Sequence, residues 1–297
     1  MRKIRFIINP VAGDGSSKLL LSKIKEKMSS QSAVIDFKIS SHKGHITELA
    51  EEAVHEKFTD LIVAGGDGTI IEAVNGILGA PIRLGILPSG TGNDYARSVG
   101  ISSDFDEAME NILETDIVLS DIGLVNGEAF LNSVGVGIDS DVVETTQKIK
   151  NMFPGSMAYA LSTVKSILTY RAKHVRIHLD DVVLERKVML IAIGNGKYIG
   201  GGMKITPNAK VDSGDFEICI VRDISKPRFL KLFPSVFKGD HVGIAEVEMF
   251  QAKSIQIESL DKPLSVNADG SIVGSTPAKV SMNHYKMQIL RKTSDNT

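Results

Sequence analysis

The stretch LIVAGGDGT, residues 61–69, decides the fold of the first half of this chain. Four apolar residues, Leu61–Ala64, form a run typical of a short buried strand, and the glycine-rich segment Gly65–Thr69 follows at once. The next residues, Ile70–Leu78, have the apolar spacing of a helix. Glycines let a backbone approach a ligand closely, and the first amides of a helix attract phosphate. The stretch therefore predicts a strand–loop–helix unit that binds phosphate.

The same alternation surrounds this unit on both sides. Apolar runs predict further strands at 4–8, 34–39 and 82–87, and helical spacing predicts helices at 16–28, 47–58 and 105–113. Strands that alternate with helices indicate a mostly parallel sheet with helices on both faces. In such sheets a ligand binds beyond the carboxyl ends of the strands.

Three loops follow predicted strands and are rich in glycine and small polar residues: Asn9–Gly13, Gly65–Thr69 and Pro88–Asp94. We expect them to converge at one edge of the sheet. One glycine-rich loop could merely turn the chain, but a second such loop favours a ligand site. None is a Walker A loop, since no Gly-Lys-Ser/Thr is present. The carboxylate of Asp67 beside phosphates indicates magnesium.

After about residue 117 the pattern changes to short β-like runs, which predict an antiparallel sandwich or barrel-like domain. Asn126-Gly127 lies between two apolar runs and predicts a hairpin. Two helical segments, Ser156–Tyr170 and Pro227–Phe237, interrupt the strands. We place domain boundaries at 1–120 and 121–285, with 286–297 as a C-terminal strand and tail that could return to the first domain.

Composition narrows the class of protein. The chain has 297 residues, 42% of them apolar and 24% charged, as expected for a soluble globular protein of two domains. The net charge of −2 provides no basic footprint for nucleic acid. The single cysteine, Cys219, excludes an internal disulfide and suits a reducing compartment. No apolar stretch reaches the ~20 residues of a membrane span, so we expect a cytoplasmic protein whose membrane contact, if any, is peripheral.

Several motifs together resemble the catalytic domain of diacylglycerol and sphingosine kinases, and in particular that of the soluble bacterial diacylglycerol kinases. In the first half they are NPVAG at 9–13, GGDGT at 65–69 and GTGND at 90–94. In the second half they are GNG at 194–196, GGG at 200–202, PNAKVDSG at 207–214 and LSVNADG at 264–270. The first glycine motif alone is shared with NAD kinases and phosphofructokinases.

The resemblance implies a nucleotide-binding domain like those of NAD kinase and phosphofructokinase, a β-sandwich domain for the lipid substrate, and a cleft between them. It implies transfer from ATP, with Mg²⁺, to the primary hydroxyl of diacylglycerol or a related lipid, giving phosphatidate. An NAD kinase-like phosphotransferase and a non-catalytic nucleotide- or lipid-binding regulator remain alternatives. A homodimer is a reasonable expectation.

The resemblance also assigns roles to residues. The general base is expected at Asp269, although a plain Asp-Gly turn is the alternative. Asp67 and Asp94 are the next candidates for the base, or organise magnesium through water, and Asp121 belongs to the same carboxylate network. Glu72 and Asn75 equally suit an exposed helical face. The expected nucleotide-binding residues are Asn9, Pro10, Gly13, Ser40, Gly65, Gly66, Asp67, Gly68, Thr69, Glu72, Asn75, Gly90, Thr91 and Asn93.

Two departures from the family pattern bear on function. The family commonly has Asp-Gly-Glu where this chain has Ser271 after Gly270, so activity could be weak or the acceptor different. A structural magnesium site is expected at Lys210, Asp212 and Asp215, but Ser213 stands where an aspartate is usual. A simple β-turn is the alternative there.

Contact with a membrane would suit the segment Pro227–Phe237, in which phenylalanines and leucines alternate with lysine and arginine. The alternative is a helix packed on the sandwich with a solvated basic side. Ser156–Tyr170 is predicted to be core, and its neighbours 152–155 could line a lipid groove.

Overall fold

The structure is a computed structural model that describes residues 1–12, 17–114, 116–149 and 155–292. The chain divides into two compact units. Unit 1 is Met1–Ser120 together with the C-terminal segment that starts at Tyr285, and unit 2 is Asp121–His284. None of the helices in the described ranges is long and apolar enough to cross a membrane.

Unit 1 is an α/β domain, as predicted. Its parallel strands lie in the order β2-β1-β3-β4, and the end of strand β15 continues the sheet by pairing Ile289 with Leu84. The strands are β1 (Lys3–Ile8), β2 (Val34–Ile39), β3 (Asp60–Gly65) and β4 (Arg83–Pro88). The helices are α1 (Ser17–Met28), α2 (His45–His55), α3 (Asp67–Ile77), α4 (Asp94–Ser98) and α5 (Phe105–Glu114).

The central strand of unit 1 and the helix after it are held by close packing. All six residues of β3 are buried, and α3 buries residues three to four apart along one side: Thr69, Ile70, Ala73, Val74 and Ile77. Helix α2 packs against α3 at Gly76, where a Cβ would lie 2.5 Å from the carbonyl oxygen of Thr47. Glycine at this position lets the two helices approach, and this packing sets the orientation of α3 behind its loop.

Unit 2 is an antiparallel, sandwich-like domain, which confirms the predicted class. Its main strand order is β14-β13-β7-β9-β8-β12-β15, and β10 pairs with both β9 and β11. Asn126 and Gly127, at φ 52° and 92°, turn the β5–β6 hairpin. The strands are β5 (Ile117–Val125), β6 (Glu128–Phe130), β7 (Ser133–Gly137), β8 (Lys173–Leu179), β9 (Val182–Gly194), β10 (Phe216–Arg222), β11 (Val247–Ala252), β12 (Ser254–Ser259), β13 (Ser265–Ala268), β14 (Ser271–Ser275) and β15 (Ala278–Leu290).

The described part of unit 2 also contains three α-helices and two short 3₁₀ turns, at Phe233–Phe237 and Asp240–Gly243. Side chains from these elements form an apolar cluster with residues of β9 and β10, including Leu190, Ala192 and Cys219. A second, larger cluster holds the other strand residues, such as Val134, Ile191 and Ile255. The helices are α6 (Ile138–Ile149), α7 (Gly155–Thr169) and α8 (Lys226–Leu232).

Helix α7 corrects part of the prediction that its apolar stripe is core, because Ile167 is buried but Val164 and Leu168 are not. It buries Ser162 and Ser166 completely, whereas Leu161, Val164 and Leu168 are each 44–53% exposed. The buried serines are satisfied because Ser162 donates to the carbonyl of Ala158 at 2.7 Å and Ser166 donates to the Asp141 carboxylate at 2.5 Å. Small hydroxyl side chains permit close packing on α6, while Leu161, Val164 and Leu168 stay exposed. Residues 152–154, part of the expected lipid groove, lie outside the described residues.

Candidate active site

The loops that follow β3 and β4 touch through their glycines. A Cβ on Gly90 would lie 2.5 Å from the Cα of Gly66, so this position requires glycine, and a Cβ on Gly66 would lie 3.1 Å from the Cα of Gly90, which leaves little room. The loop after β1 joins them because Nδ2 of Asn9 donates to the Thr69 hydroxyl oxygen at 2.9 Å. Three loops of unit 1 therefore meet at the carboxyl edge of its sheet. Gly13, the last residue of the first loop, lies outside the described residues.

Asn93 shapes the loop at 90–94 from within. It has a left-handed backbone, at φ 52°, and its side chain both accepts from the Gly90 amide at 3.0 Å and donates to the Gly90 carbonyl at 2.8 Å. Asn93 is buried, whereas Thr91 is exposed and available to a ligand. The two residues, both expected to bind nucleotide, thus occupy different environments.

Asp67 joins the second loop to the third. Its carboxylate accepts from the amides of Asp94 at 3.2 Å and Tyr95 at 3.0 Å, the first residues of α4. Asp94 in turn accepts from Arg97 at 2.9 Å. Mg²⁺ is commonly bound by only one or two carboxylates beside substrate phosphates. Across the described ranges, no group of three or more His, Cys, Asp or Glu side chains could hold a metal ion.

Gly68 stands at the start of α3 with open space beside it. Nothing lies within 4 Å of the position that a Cβ would occupy, the residue is exposed, and its φ is not in the left-handed region. Among the hydrogen bonds of the described residues, none uses the backbone amides of Asp67 or Gly68. A helix-initial glycine that neither turn geometry nor packing requires, beside unpaired amides, fits a site where phosphate approaches the backbone.

The other expected nucleotide residues of unit 1 lie in three different settings. Ser40 is buried, and its amide donates to the Ile8 carbonyl at 3.0 Å. The Glu72 carboxylate accepts from the Gly44 amide at 3.1 Å, just before α2. Asn75 is exposed on α3, and Pro10 is half-buried. Glu72 therefore holds two helices together, whatever else it contacts.

In unit 2, Asp269 occupies a left-handed turn at φ 44°. Its carboxylate accepts from three successive backbone amides, those of Leu131 at 2.7 Å, Asn132 at 3.0 Å and Ser133 at 2.9 Å. The side chain thus anchors the segment that leads into β7. Its role as general base stays a prediction, and the anchoring contacts are a function that the motif does not reveal.

A serine hydroxyl bridges two backbone carbonyls of the segment in which structural magnesium was expected. Oγ of Ser213 lies 2.9 Å from the carbonyl oxygen of Lys210 and 3.2 Å from that of Asp215. The Asp121 carboxylate accepts from the Gly214 amide at 2.7 Å, and Asp212 is exposed. The serine hydroxyl thus already contacts two carbonyls that an ion would need, so these residues do not fit a cation.

An apolar cavity opens within unit 2, between β9 and β10 on one side and the helices and 3₁₀ turns on the other. Only a few polar side chains line it, among them Asp139 and His241. The apolar lining includes Ile138, Val142, Ile167, Leu190, Ile199, Met203, Ile205, Val221, Phe229, Leu232, Phe233 and Val236. The cavity is therefore suited to hydrocarbon with a small number of polar contacts.

The polar residues of the cavity are perturbed by burial. Burial raises the pKa of Asp139, although a 2.6 Å hydrogen bond from Asn267 opposes the shift. Burial lowers the pKa of His241, whose Nε2 lies 2.9 Å from the Ile205 carbonyl oxygen. Burial, with the nearby charge of Glu217, raises the pKa of the Cys219 thiol to about 12, so this cysteine is an unreactive apolar residue.

Sequence reasoning singled out neither Asp139 nor His241. A signal for Asp139 existed in Gly135, where a Cβ would overlap the Asp139 carboxylate. No spacing or neighbour in the sequence marks His241, because the residues around its ring come from distant segments.

Two family models match the chain. The diacylglycerol kinase catalytic domain matches residues 3–125, and the YegS C-terminal NAD kinase beta sandwich-like domain matches residues 132–291. A diacylglycerol kinase of Staphylococcus carnosus is 31% identical over 93% of this chain and 91% of its own. A diacylglycerol kinase of Bacillus subtilis is 29% identical over 96% of this chain and 95% of its own.

Solved structures agree with these matches. A crystal structure of a diacylglycerol kinase from Bacillus anthracis str. Sterne superposes with a TM-score of 0.78 at 26% identity, covering 98% of this chain and 97% of its own. Another structure from that organism gives a TM-score of 0.85 at 28% identity, with 98% of each chain covered. Family models, relatives and structures all cover both units, and this chain accordingly belongs to the diacylglycerol kinase family, as a kinase whose phosphoryl donor is ATP.

Proposed function

We propose that this kinase phosphorylates the hydroxyl of diacylglycerol, or of a related lipid alcohol, to give phosphatidate or its counterpart. The observation that carries the lipid assignment is the apolar cavity of unit 2, which suits a hydrocarbon chain and offers little to a polar acceptor. The names of the relatives support the same substrate class. The family model that matches residues 132–291 has NAD kinase in its name. A similarity of fold in this domain gives no independent support for NAD as the acceptor.

On the nucleotide side, the amides at the start of α3 would receive phosphate oxygens, and the absence of a side chain at Gly68 would let them approach. Thr69 accepts a hydrogen bond from Asn9, which leaves its hydroxyl hydrogen available to a phosphate oxygen. Asp67 holds the loop at 90–94 against this helix start. Phosphoryl transfer depends mainly on positioning and charge stabilisation, and these contacts supply positioning.

Mg²⁺ would neutralise charge on the transferred phosphoryl group, and Asp67 and Asp94 are the carboxylates at this edge that would hold it with the nucleotide. Proton removal from the acceptor hydroxyl is assigned to Asp269. Its three amide contacts fix the carboxylate in place, as a positioned base requires. Ser271 follows in place of the usual glutamate, so a second carboxylate does not assist at that position.

The test is transfer of radiolabel from ATP to a panel of lipid alcohols in mixed micelles, with NAD as a control acceptor. We expect label in diacylglycerol or a close analogue and none in NAD. Label in NAD alone would favour the NAD kinase-like alternative. Binding of ATP without label in any acceptor would favour the non-catalytic regulator.

We further propose peripheral contact with a membrane through α7. Met157, Leu161, Val164 and Leu168 are each 44–53% exposed on one side of this helix. The segment at 226–237 is less suited, because Phe229, Leu232, Phe233 and Val236 pack inward. Its Arg228 also pairs with Glu246 at 2.7 Å.

Vesicle flotation compares the two segments. The double variant Leu161→Glu/Leu168→Glu should lose binding to vesicles of phosphatidylglycerol and phosphatidylcholine. The matched control is Leu230→Glu on α8, where the leucine is 39% exposed, and it should float like the wild type. Loss of binding in the control alone would place the contact at 226–237 instead.

A further inference from the structure

Two histidine rings lie one on the other in the segment that joins β2 to α2. The ring centroids of His42 and His45 are 4.9 Å apart, and the ring planes are within 17° of parallel. Nδ1 of His45 accepts from the backbone amide of Ser41 at 3.0 Å and lies 2.9 Å from the Ser41 hydroxyl oxygen. These contacts hold the His45 ring in place. His42 is exposed, so its ring can receive a flat ligand on the side turned away from His45.

The histidine pair is attached to the helix whose first turn is the proposed phosphate site. The Gly44 amide donates to the Glu72 carboxylate at 3.1 Å, and the Thr47 hydroxyl donates to the Glu72 carbonyl at 2.8 Å. Glu72 comes four residues after Gly68, which places it only about 6 Å farther along α3. The two rings therefore belong to a segment that packs beside the first turns of α3.

The order of the strands indicates which end of a nucleotide would reach the rings. The strands lie in the order β2-β1-β3-β4. Asp67 and Asp94, the carboxylates proposed to hold Mg²⁺, follow β3 and β4, so the phosphates that share the metal belong on that side. The β2 side of the edge is then left for the nucleoside. Adjacent strands are about 4.8 Å apart, which separates the ends of β3 and β2 by about 10 Å, a distance that the α-phosphate and ribose can span.

We propose that the adenine base of ATP stacks on the exposed ring of His42, with the fixed ring of His45 beneath it. Histidine is among the side chains on which nucleic-acid bases stack, and stacking requires a flat ring rather than a charge. This inference rests on the proposed function, because it takes the start of α3 to be the phosphate site. It adds the residue that holds the base of the nucleotide.

The experiment compares ATP with inorganic tripolyphosphate, which has the phosphates but no base. Calorimetry with Mg²⁺ on the full-length protein gives the dissociation constant of ATP, and displacement of ATP gives that of tripolyphosphate. In His42→Ala the dissociation constant of ATP should rise roughly 5-fold or more, whereas that of tripolyphosphate should stay unchanged. His55→Ala is the matched control, because this exposed histidine lies at the other end of α2, and it should bind both ligands like the wild type.

A second variant separates stacking from other effects of the histidine. His42→Phe keeps a flat ring and should bind ATP nearly as well as the wild type. An ATP affinity that falls as far in His42→Phe as in His42→Ala would overturn stacking. Unchanged ATP affinity in His42→Ala would overturn the role of His42 and leave the phosphate site in place. Failure of tripolyphosphate to displace ATP from the wild type would overturn the phosphate site, and the placement of the base with it. Because no lipid is present, none of these outcomes depends on the identity of the acceptor.

Discussion

The glycine loops of unit 1 and the cavity of unit 2 offer different kinds of group to a ligand. The loops present backbone amides beside positions where a side chain is absent, as at Gly66, Gly68 and Gly90. The cavity presents side chains from strands, helices and 3₁₀ turns that are distant in sequence. A site built from a few short contiguous motifs can be recognised in the sequence, whereas a site assembled from single side chains of many segments cannot.

The same contrast separates the aspartates. Asp67 and Asp269 lie in short motifs and accept backbone amides, two for the first and three for the second. Asp139 lies in the cavity and accepts from the Asn267 side chain. Amides stabilise a charged carboxylate, but burial among apolar residues disfavours it. The motif aspartates therefore hold backbone segments that are distant in sequence, and the cavity aspartate lies where its charged form is disfavoured.

The largest effect should come from removing the anchoring carboxylate. Asp269→Ala leaves three amides without their acceptor and should lower the free energy of unfolding by about 3 kcal/mol, as measured by urea denaturation. The control is Asp180→Ala, whose exposed turn also has a left-handed backbone and accepts the amides of Lys253 and Ser254. The loss of unfolding free energy in Asp180→Ala should be smaller, because water can replace the carboxylate at this exposed turn. An equal loss of unfolding free energy in the two variants would contradict the inference that Asp269 anchors the segment that leads into β7.

The variant Gly68→Ala tests the proposal that phosphate binds to backbone amides at the start of α3. Alanine should leave stability unchanged or raise it by up to ~1 kcal/mol, since glycine is unfavourable in helices. The dissociation constant for ATP, measured by calorimetry, should nevertheless rise roughly 10-fold or more. Gly243→Ala is the matched control, because its Cβ also meets open space and its φ is not left-handed. Unchanged ATP affinity in Gly68→Ala would remove α3 as the phosphate site.

His241 should make unit 2 sensitive to acid. Its folded pKa lies below the ordinary value of 6.5, so the unfolded chain binds the proton more readily. The contribution of His241 to the free energy of unfolding is therefore fully present above about pH 6.5, and it is lost as the pH falls through the pKa of the folded state. The melting temperature of the wild type should drop more steeply than that of His241→Gln between pH 7.5 and 5. Parallel curves would show that His241 is not buried as a neutral ring.

The smallest effect should come from Asp139→Asn. The raised folded pKa means that Asp139 contributes stability below its ordinary pKa of 3.8 and loses that contribution as the pH rises. At pH 7 the neutral asparagine should therefore be more stable than the wild type, by up to ~1 kcal/mol. Its amide oxygen can still accept from Asn267. A variant less stable than the wild type at pH 7 would contradict the inference that burial dominates at Asp139.

Strand and helix periodicity predicted the order of elements in unit 1 well, because each strand–loop–helix unit is local. It was less informative about α7 and the segment at 226–237, since both have apolar and polar residues at helical spacing. Helix α7 buries two serines and leaves Leu161, Val164 and Leu168 exposed, whereas Phe229 and Phe233 pack inward. The outcome depended on what each helix packs against.

By itself, the sequence determined the two kinds of domain, the glycine loops and the family, because those features depend on local periodicity and on residues close together in the chain. Three features depended on the tertiary structure alone. Ser213 contacts the two backbone carbonyls of the segment in which a structural magnesium ion was expected. Asp139 and His241 line one cavity, and α7 exposes several of its apolar residues. The physical reason is that burial and hydrogen bonding depend on neighbours in space. Those neighbours come from segments that only folding brings together.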